Sequence, residues 1–298
     1  EIVDTDILQA LSFEKWPLLQ NKLKYNWPTF AYYYYWVDNS IKWKKKDPDI
    51  SIQIYCPNGN YEDGTFIGIS NYSIYSLLVF TLDPNTTAIN KILAETKVID
   101  WNQTLNFATV HGSFAPNVLS AIKNLQHLNK IGKEEAYTFQ YYFKPAEECA
   151  STTIWLPEEC YAKPLDKSDV PLIHSLWPHR DPIRPELSMK YISTIIEMNG
   201  GMGLYLNDDN SLVSWAMQND WHGLGIVQTV ERYKRRGYAK AVVNILSKKL
   251  GEQGISVTLF ILDGNTVSET MFKDLGWKAI APFVWIMIQK QETANLGS

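Results

Sequence analysis

Apolar residues recur along this chain with two periods, and each change of period marks an element. Alternating or unbroken apolar runs at 51–55, 66–69, 76–80, 105–110 and 138–143 predict strands, while spacings of three and four predict helices over 13–23 and 117–128. The aromatic run at 32–36 reads as packing within a helix or strand rather than as a ligand-stacking face. Lys42, Lys44, Lys45 and Lys46 stand beside Asp47-Pro48 and read as a solvated turn. Between 145 and 159 the periodicity is lost among Pro, Ala, Ser, Thr and Glu, which predicts a break between two domains.

Beyond the break a short strand at 161–163 leads into a helix reaching Leu176. Leu187, Tyr191, Ile195 and Met198 mark a second helix, stopped by Gly200-Gly201. Apolar runs at 204–206 and 212–217 flank a polar turn and predict a hairpin, with a third strand at 224–230. A helix follows at once, with Ala239, Val242, Val243, Leu246 and Leu250 on one face and Gly251 as its stop. A strand at 255–262, a helix that opens on a Thr266/Glu269 capping box and ends at Gly276, and a strand at 283–288 complete the chain. The pattern predicts an α/β protein, each half a mixed, mostly antiparallel sheet flanked by helices, divided into 1–150 and 158–290.

Composition narrows the function. At 298 residues the chain suits two domains, and 45% apolar against 20% charged residues lets each bury a core. A net charge of −4 and a pI near 5.8 argue against a nucleic-acid partner. Cys56, Cys149 and Cys160 have neither the number nor the spacing of a disulfide framework or a zinc site, so reduced thiols, no metal and a cytoplasmic location are expected. No apolar run is long enough to span a membrane. A mitochondrial location becomes the expectation should a targeting segment have been removed ahead of Glu1. The oligomeric state is not legible.

One segment departs from the acidic balance. From Glu231 to Leu250 there are seven basic residues against a single acid. The stretch Gln228, Thr229, Val230, Glu231, Arg232, Tyr233, Lys234, Arg235, Arg236, Gly237, Tyr238, Ala239, Lys240 runs from a strand directly into a helix. Such a turn leaves the first backbone N–H groups of the helix unpaired at the positive end of its dipole, which makes an anion site. Gly237 allows close backbone approach and Ala239 keeps the next approach small, while Lys234, Arg235 and Arg236 supply charge for a pyrophosphate. Basic residues in a first helical turn oppose the dipole unless an anion is bound, and this favours a phosphate cradle over a merely solvated face.

Arg235-Arg236-Gly237-Tyr238-Ala239 after a strand resembles the coenzyme A loop of the GNAT acyltransferase superfamily, Gln/Arg-x-x-Gly-x-Gly/Ala. About thirty residues later, Asn265, Ser268, Met271, Phe272, Leu275, Gly276 and Trp277 resemble a later helix of the same superfamily. The likeness covers 158–289, and the strand text Leu224-Gly-Ile-Val-Gln-Thr229 is most similar to the glycine N-acyltransferase-like branch, including insect members. It implies an acyl-CoA co-substrate, with the loop at 234–240 on the pyrophosphate, the strand at 226–230 on the pantetheine amides, and Asn265, Ser268 and Phe272 near the pantetheine arm and thiol. Lys234 replaces the usual Gln or Arg. Phe272 stands where many members carry a tyrosine acid, and phenylalanine donates no proton.

The implied reaction is transfer of an acetyl or longer acyl group to the amine of a small molecule or amino acid such as glycine, by direct attack in a ternary complex. That chemistry calls for a base. His222, just ahead of the central strand, is the first candidate and Glu231 the second; His179-Arg180 is a candidate contact for an acceptor carboxylate. Two other functions remain compatible with these residues: a non-catalytic acyl-CoA sensor or scaffold, and a protein or peptide N-acetyltransferase. The first half lacks the basic Gly-x-Ala loop, so it is expected to be a diverged domain of similar shape that binds no coenzyme A.

Overall fold

The structure is a computed structural model that describes residues 6–83 and 86–291. The elements of the first part are β1 (Leu8–Ala10), α1 (Trp16–Lys22), α2 (Ala31–Lys46), β2 (Ile52–Pro57), β3 (Phe66–Ser70), β4 (Ser76–Phe80), α3 (Ala88–Glu95), β5 (Leu105–His111), α4 (Ala115–His127) and β6 (Glu134–Lys144). There follow α5 (Ala146–Ala150), β7 (Cys160–Pro164), α6 (Val170–Leu176), α7 (Pro185–Met198), β8 (Gly201–Leu206), β9 (Leu212–Gln218), β10 (Leu224–Thr229), α8 (Tyr238–Glu252), β11 (Val257–Leu262), α9 (Thr266–Asp274) and β12 (Lys278–Ile288).

Contacts divide the chain into two compact units that are not consecutive in sequence. The first takes the described residues up to Phe30, Lys44–Phe139 and those from Ala281 on, and the second takes Ala31–Trp43 and Gln140–Ile280. This compactness division differs from the sequence division at 1–150 and 158–290, because most of α2 packs with the later residues and most of β12 with the earlier ones.

In the first unit the strands run in the order β1-β2-β3-β4-β5-β12. All neighbours are antiparallel except β4 and β5, which are parallel and joined through α3. β2 alternates buried and half-buried positions, the signature of a strand with one covered face. Helix α4 buries Ala115, Val118, Ala121, Ile122 and Leu125, a stripe at helical spacing. His111, at the end of β5, sits among Phe30, Phe114 and Phe283, with ring centroids 5.4, 5.5 and 5.0 Å away.

In the second unit β10-β9-β8-β7 form an antiparallel sheet of four strands. β11 belongs to a different sheet, where it ends the order beside β6. Helix α8 covers a core that includes Val213, Ala216, Val242, Val243, Leu246, Leu250, Val257 and Leu259. Each buried Val or Leu among them contributes roughly 1.5–3 kcal/mol relative to exposure.

Three local expectations are corrected, while the aromatic run and the helix over 13–23 form in line with expectation. The aromatic run at 32–36 is helical, and the four lysines are not a turn but the last part of α2, where Lys44, Lys45 and Lys46 complement the helix dipole. A helix over 13–23 forms as a short 3-10 turn, Phe13–Lys15, followed by α1, with Pro17 in the first turn of the latter. Gly251 does not stop α8. It lies inside the helix, where an added Cβ would fall 2.5 Å from the Ala146 carbonyl oxygen and 2.7 Å from the Cys149 Cβ of α5; the stop comes at Gly254, φ +77°. Finally, α9 is capped by Asn265, whose side chain accepts from the Ser268 N–H, while Glu269 accepts from Tyr142 and Lys273 instead of closing a capping box.

Candidate functional site

The site is built where β10 ends. Among the described residues β10 pairs with β9 alone, so its other edge meets no strand of its own sheet. Two β10 residues oppose one on β9 between Gly225 and Gln228, a bulge in which Ile226 takes φ +49°. A β-branched residue at positive φ is strained, and such strain collects at functional positions. The strand end is anchored from within. Ser214 Oγ donates to the Gln228 carbonyl at 3.1 Å and lies 2.8 Å from Thr229 Oγ1, while the Val230 N–H donates to the Val213 carbonyl at 2.9 Å. The Thr229 hydroxyl and the Val230 N–H therefore hold the strand, and the free donors lie further along.

After a 3-10 turn at Glu231–Tyr233 the chain passes through Arg235 at φ +63° and Gly237 at φ +83° into α8. The first backbone hydrogen bond of α8 runs from the Ala241 N–H to the Gly237 carbonyl at 3.0 Å. Among the described residues no protein acceptor takes the N–H groups of Arg235, Arg236, Gly237, Tyr238, Ala239 or Lys240. Six N–H groups without a protein acceptor at the positive end of a fifteen-residue helix make this loop a candidate anion site. The cradle also has little room to spare at Gly237, since a Cβ there would stand 3.1 Å from Cζ3 of Trp155.

The charged side chains of the loop divide into two groups. Lys234 pairs with Glu231 at 2.6 Å and Lys240 with Asp274 at 3.4 Å, the latter linking the first turn of α8 to α9. Arg235 and Arg236 are exposed, with Arg236 5.4 Å from the Tyr233 ring centroid. Tyr238 is buried beneath the loop and donates to Glu159; burial and that carboxylate push its hydroxyl up to about 12.

The candidate bases sit in contrasting surroundings. The Glu231 side chain is 86% exposed and ion-paired to Lys234. His222 is buried, with both ring nitrogens engaged. The Gln218 amide nitrogen lies 2.9 Å from Nδ1, while Nε2 lies 2.9 Å from Asp38 Oδ2 and 3.3 Å from Lys42 Nζ; donation from Gln218 to Nδ1 places the ring proton on Nε2, toward Asp38. Lys42 pairs with Asp38 at 2.8 Å. Burial lowers the pKa of His222, and Lys42 works in the same direction against the opposing Asp38. The ring is thus a neutral tie between α2 and the β9–β10 turn, and no lone pair is left for a substrate proton.

Phe272 is buried and meets Trp277 edge-on at 5.4 Å. Asn265 and Ser268 are joined to each other by the cap of α9. His174 lies 2.8 Å from Ser188, and His179 and Arg180 are exposed. A shallow groove of about 350 Å³ between α6 and α7 is lined by Val170, Met189 and Lys190 among others, and by none of the residues singled out in the sequence. Among the described residues no cluster of His, Cys, Asp or Glu is arranged for a metal ion, and no helix is long and apolar enough to cross a membrane. The three cysteines are free and buried, with the Cys56 thiol pushed up to about 12 and that of Cys149 to about 11 by burial.

Sequence reasoning passed over Trp155, Asn219 and Asp38, and read Lys42 only as part of a solvated turn. Asn219 is 4% exposed, its Oδ1 has no hydrogen-bond partner among the described residues, and its amide nitrogen lies 2.0 Å from where a Cβ of Gly225 would stand. Only the four-residue spacing of Asp38 and Lys42 on a helix was a readable signal.

Comparison with known proteins shows what each part of the chain is similar to. Residues 201–286 match the family described as FR47-like protein, and residues 7–121 match a domain of unknown function, DUF5645. Human glycine N-acyltransferase-like protein 2 is 29% identical over 121 residues, which are 41% of this chain and 40% of that protein. The aligned segment therefore spans about two fifths of that relative's length. A Drosophila protein of known X-ray structure covers 97% of this chain and 100% of its own at 23% identity, with a TM-score of 0.86. A tandem GNAT protein from the clavulanic acid biosynthesis pathway covers 97% of this chain and 99% of its own at 8% identity and a TM-score of 0.54. These two likenesses concern the fold. Residues 201–286 thus resemble the FR47-like family, and the glycine N-acyltransferase-like proteins are the acyltransferases to which the chain is similar in sequence.

Proposed function

We propose that the second unit binds acyl-coenzyme A along the free edge of β10 and transfers the acyl group to the amine of a small molecule or amino acid. The observation that carries this reading is the run of six unpaired N–H groups from Arg235 to Lys240, reached directly from the bulged strand. The donors and the dipole of α8 suit a pyrophosphate, Arg235 and Arg236 add mobile charge, and the edge of β10 suits the amides of a pantetheine arm. The similarity to human glycine N-acyltransferase-like protein 2 supports the same class of reaction.

The reaction would be direct. The lone pair of the neutral amine forms the C–N bond at the thioester carbonyl, and backbone N–H groups of β10 stabilise the oxyanion. Collapse breaks the C–S bond, the thiolate leaves, and the amine proton passes to water. With Phe272 unable to protonate the thiolate and His222 engaged at both nitrogens, this route needs no side-chain acid or base. The first unit would be a diverged domain that binds no coenzyme A.

Those same two residues favour a second reading, a non-catalytic acyl-CoA sensor. Calorimetric titration with acetyl-CoA, for the wild type and an Arg235→Ala/Arg236→Ala double variant, tests the shared site. Micromolar binding lost in the variant supports it, and turnover in an amine screen then separates enzyme from sensor. No binding by the wild type, with longer acyl chains included, would sink both readings.

A further inference from the structure

The residue that overhangs the cradle comes from outside both sequence motifs. Trp155 lies in the irregular segment between α5 and β7 and is 55% exposed, flanked by Ile154 and Leu156 at 37% and 39%. The far edge of its ring comes within 3.1 Å (Cζ3) and 3.5 Å (Cη2) of the position a Cβ on Gly237 would occupy. The ring therefore rests on the one loop residue without a side chain, with much of its surface still open to solvent. The surroundings of the loop are cationic and aromatic, since Arg232 and Arg236 stand 4.8 and 5.4 Å from the Tyr233 ring centroid.

An exposed indole beside unpaired phosphate donors and arginines has the parts list of a nucleotide site: donors for the pyrophosphate, a flat apolar face for the base, and cations for a ribose phosphate. We propose that Trp155 is the stacking platform for the adenine ring of coenzyme A. This rests on the coenzyme A reading of the Arg235–Lys240 loop. In that ligand one ribose joins the base to the pyrophosphate, so a base whose phosphates lie on this loop is within reach of a ring in contact with Gly237. The assignment also accounts for the segment at 151–159, which holds a tryptophan at the surface where a solvated linker would carry polar residues.

The test compares acetyl-CoA with acetyl-4′-phosphopantetheine, which lacks the adenosine half, by calorimetry on the whole chain. Trp155→Ala should weaken acetyl-CoA by roughly fivefold to a hundredfold and leave acetyl-4′-phosphopantetheine unchanged. Trp155→Phe should recover part of the loss, and adenosine 3′,5′-bisphosphate should bind the wild type more tightly than Trp155→Ala. Equal weakening of both acetyl ligands would mean that Trp155 only supports the loop, and tighter binding of both would mean that it is a plug; either result overturns the proposal, as does no change. A wild type that binds neither acetyl ligand would overturn the coenzyme A reading itself, an outcome distinct from a failure at Trp155.

Discussion

His222 and Asp38 are 184 positions apart in sequence and 2.9 Å apart in space, His222 Nε2 against Asp38 Oδ2. The contact joins α2 to the turn between β9 and β10, immediately ahead of the strand proposed to carry the thioester. With Gln218 on the other ring nitrogen, His222 is satisfied and neutral without any substrate. Asp38→Ala should leave a buried ring N–H unpaired and lower stability by about 1–3 kcal/mol, measured by urea denaturation. In an active preparation kcat/KM should rise with pH toward the pKa of the acceptor amine, without an inflection near the ordinary histidine value. An inflection that vanishes in His222→Gln would instead make His222 the base.

Gly237 combines a left-handed conformation, φ +83°, with the Trp155 ring 3.1 Å from its would-be Cβ. Gly237→Ala should therefore weaken acetyl-CoA binding by about tenfold or more while costing only about 1–2 kcal/mol of stability. Calorimetry and urea denaturation read the two effects separately. Undiminished binding would mean that the loop backbone does not approach the ligand.

Two neighbouring glycines separate close packing from backbone conformation. A Cβ on Gly251 would stand 2.5 Å from backbone atoms of Ala146 and Ala150, whereas Gly254, at φ +77°, has nothing within 4 Å. Gly251→Ala should force α5 and α8 apart at about 1–3 kcal/mol or more. Gly254→Ala should cost only the left-handed penalty, about 1–2 kcal/mol. The order of the two denaturation midpoints decides the matter.

Acid stability draws on His111 and His222, with His174 and His179 shifted in the same direction. Burial lowers the pKa of His111 from 6.5 to about 4 and shifts that of His222 in the same direction. Between those values the unfolded chain holds protons that the folded chain does not, so stability is full above the unfolded value and is lost as pH falls. The Tm should drop on going from about pH 7 to about 4.5, and His111→Gln should flatten that slope. A Tm independent of pH over this window would contradict the burial argument.

The elements were legible in the sequence, and so was the basic loop that joins β10 to α8. Period-2 and helical spacings depend on neighbours a few residues apart, and this is why β10, α8, β11 and α9 were legible along with the unpaired donors of a helix that starts directly after a strand. Close packing was not legible. Gly251 reads as a helix stop in one dimension and becomes a contact point only because α5, about one hundred residues earlier, lies against it. Tertiary structure alone decided the fate of His222. A histidine ahead of a strand has the right chemistry for a base, and a distant carboxylate on α2 turned it into a tie. The same holds for Trp155, whose position over Gly237 no local pattern encodes. Local periodicity is carried by the chain's own geometry, while burial, ring contacts and proton positions are set by residues that folding brings together from far along it.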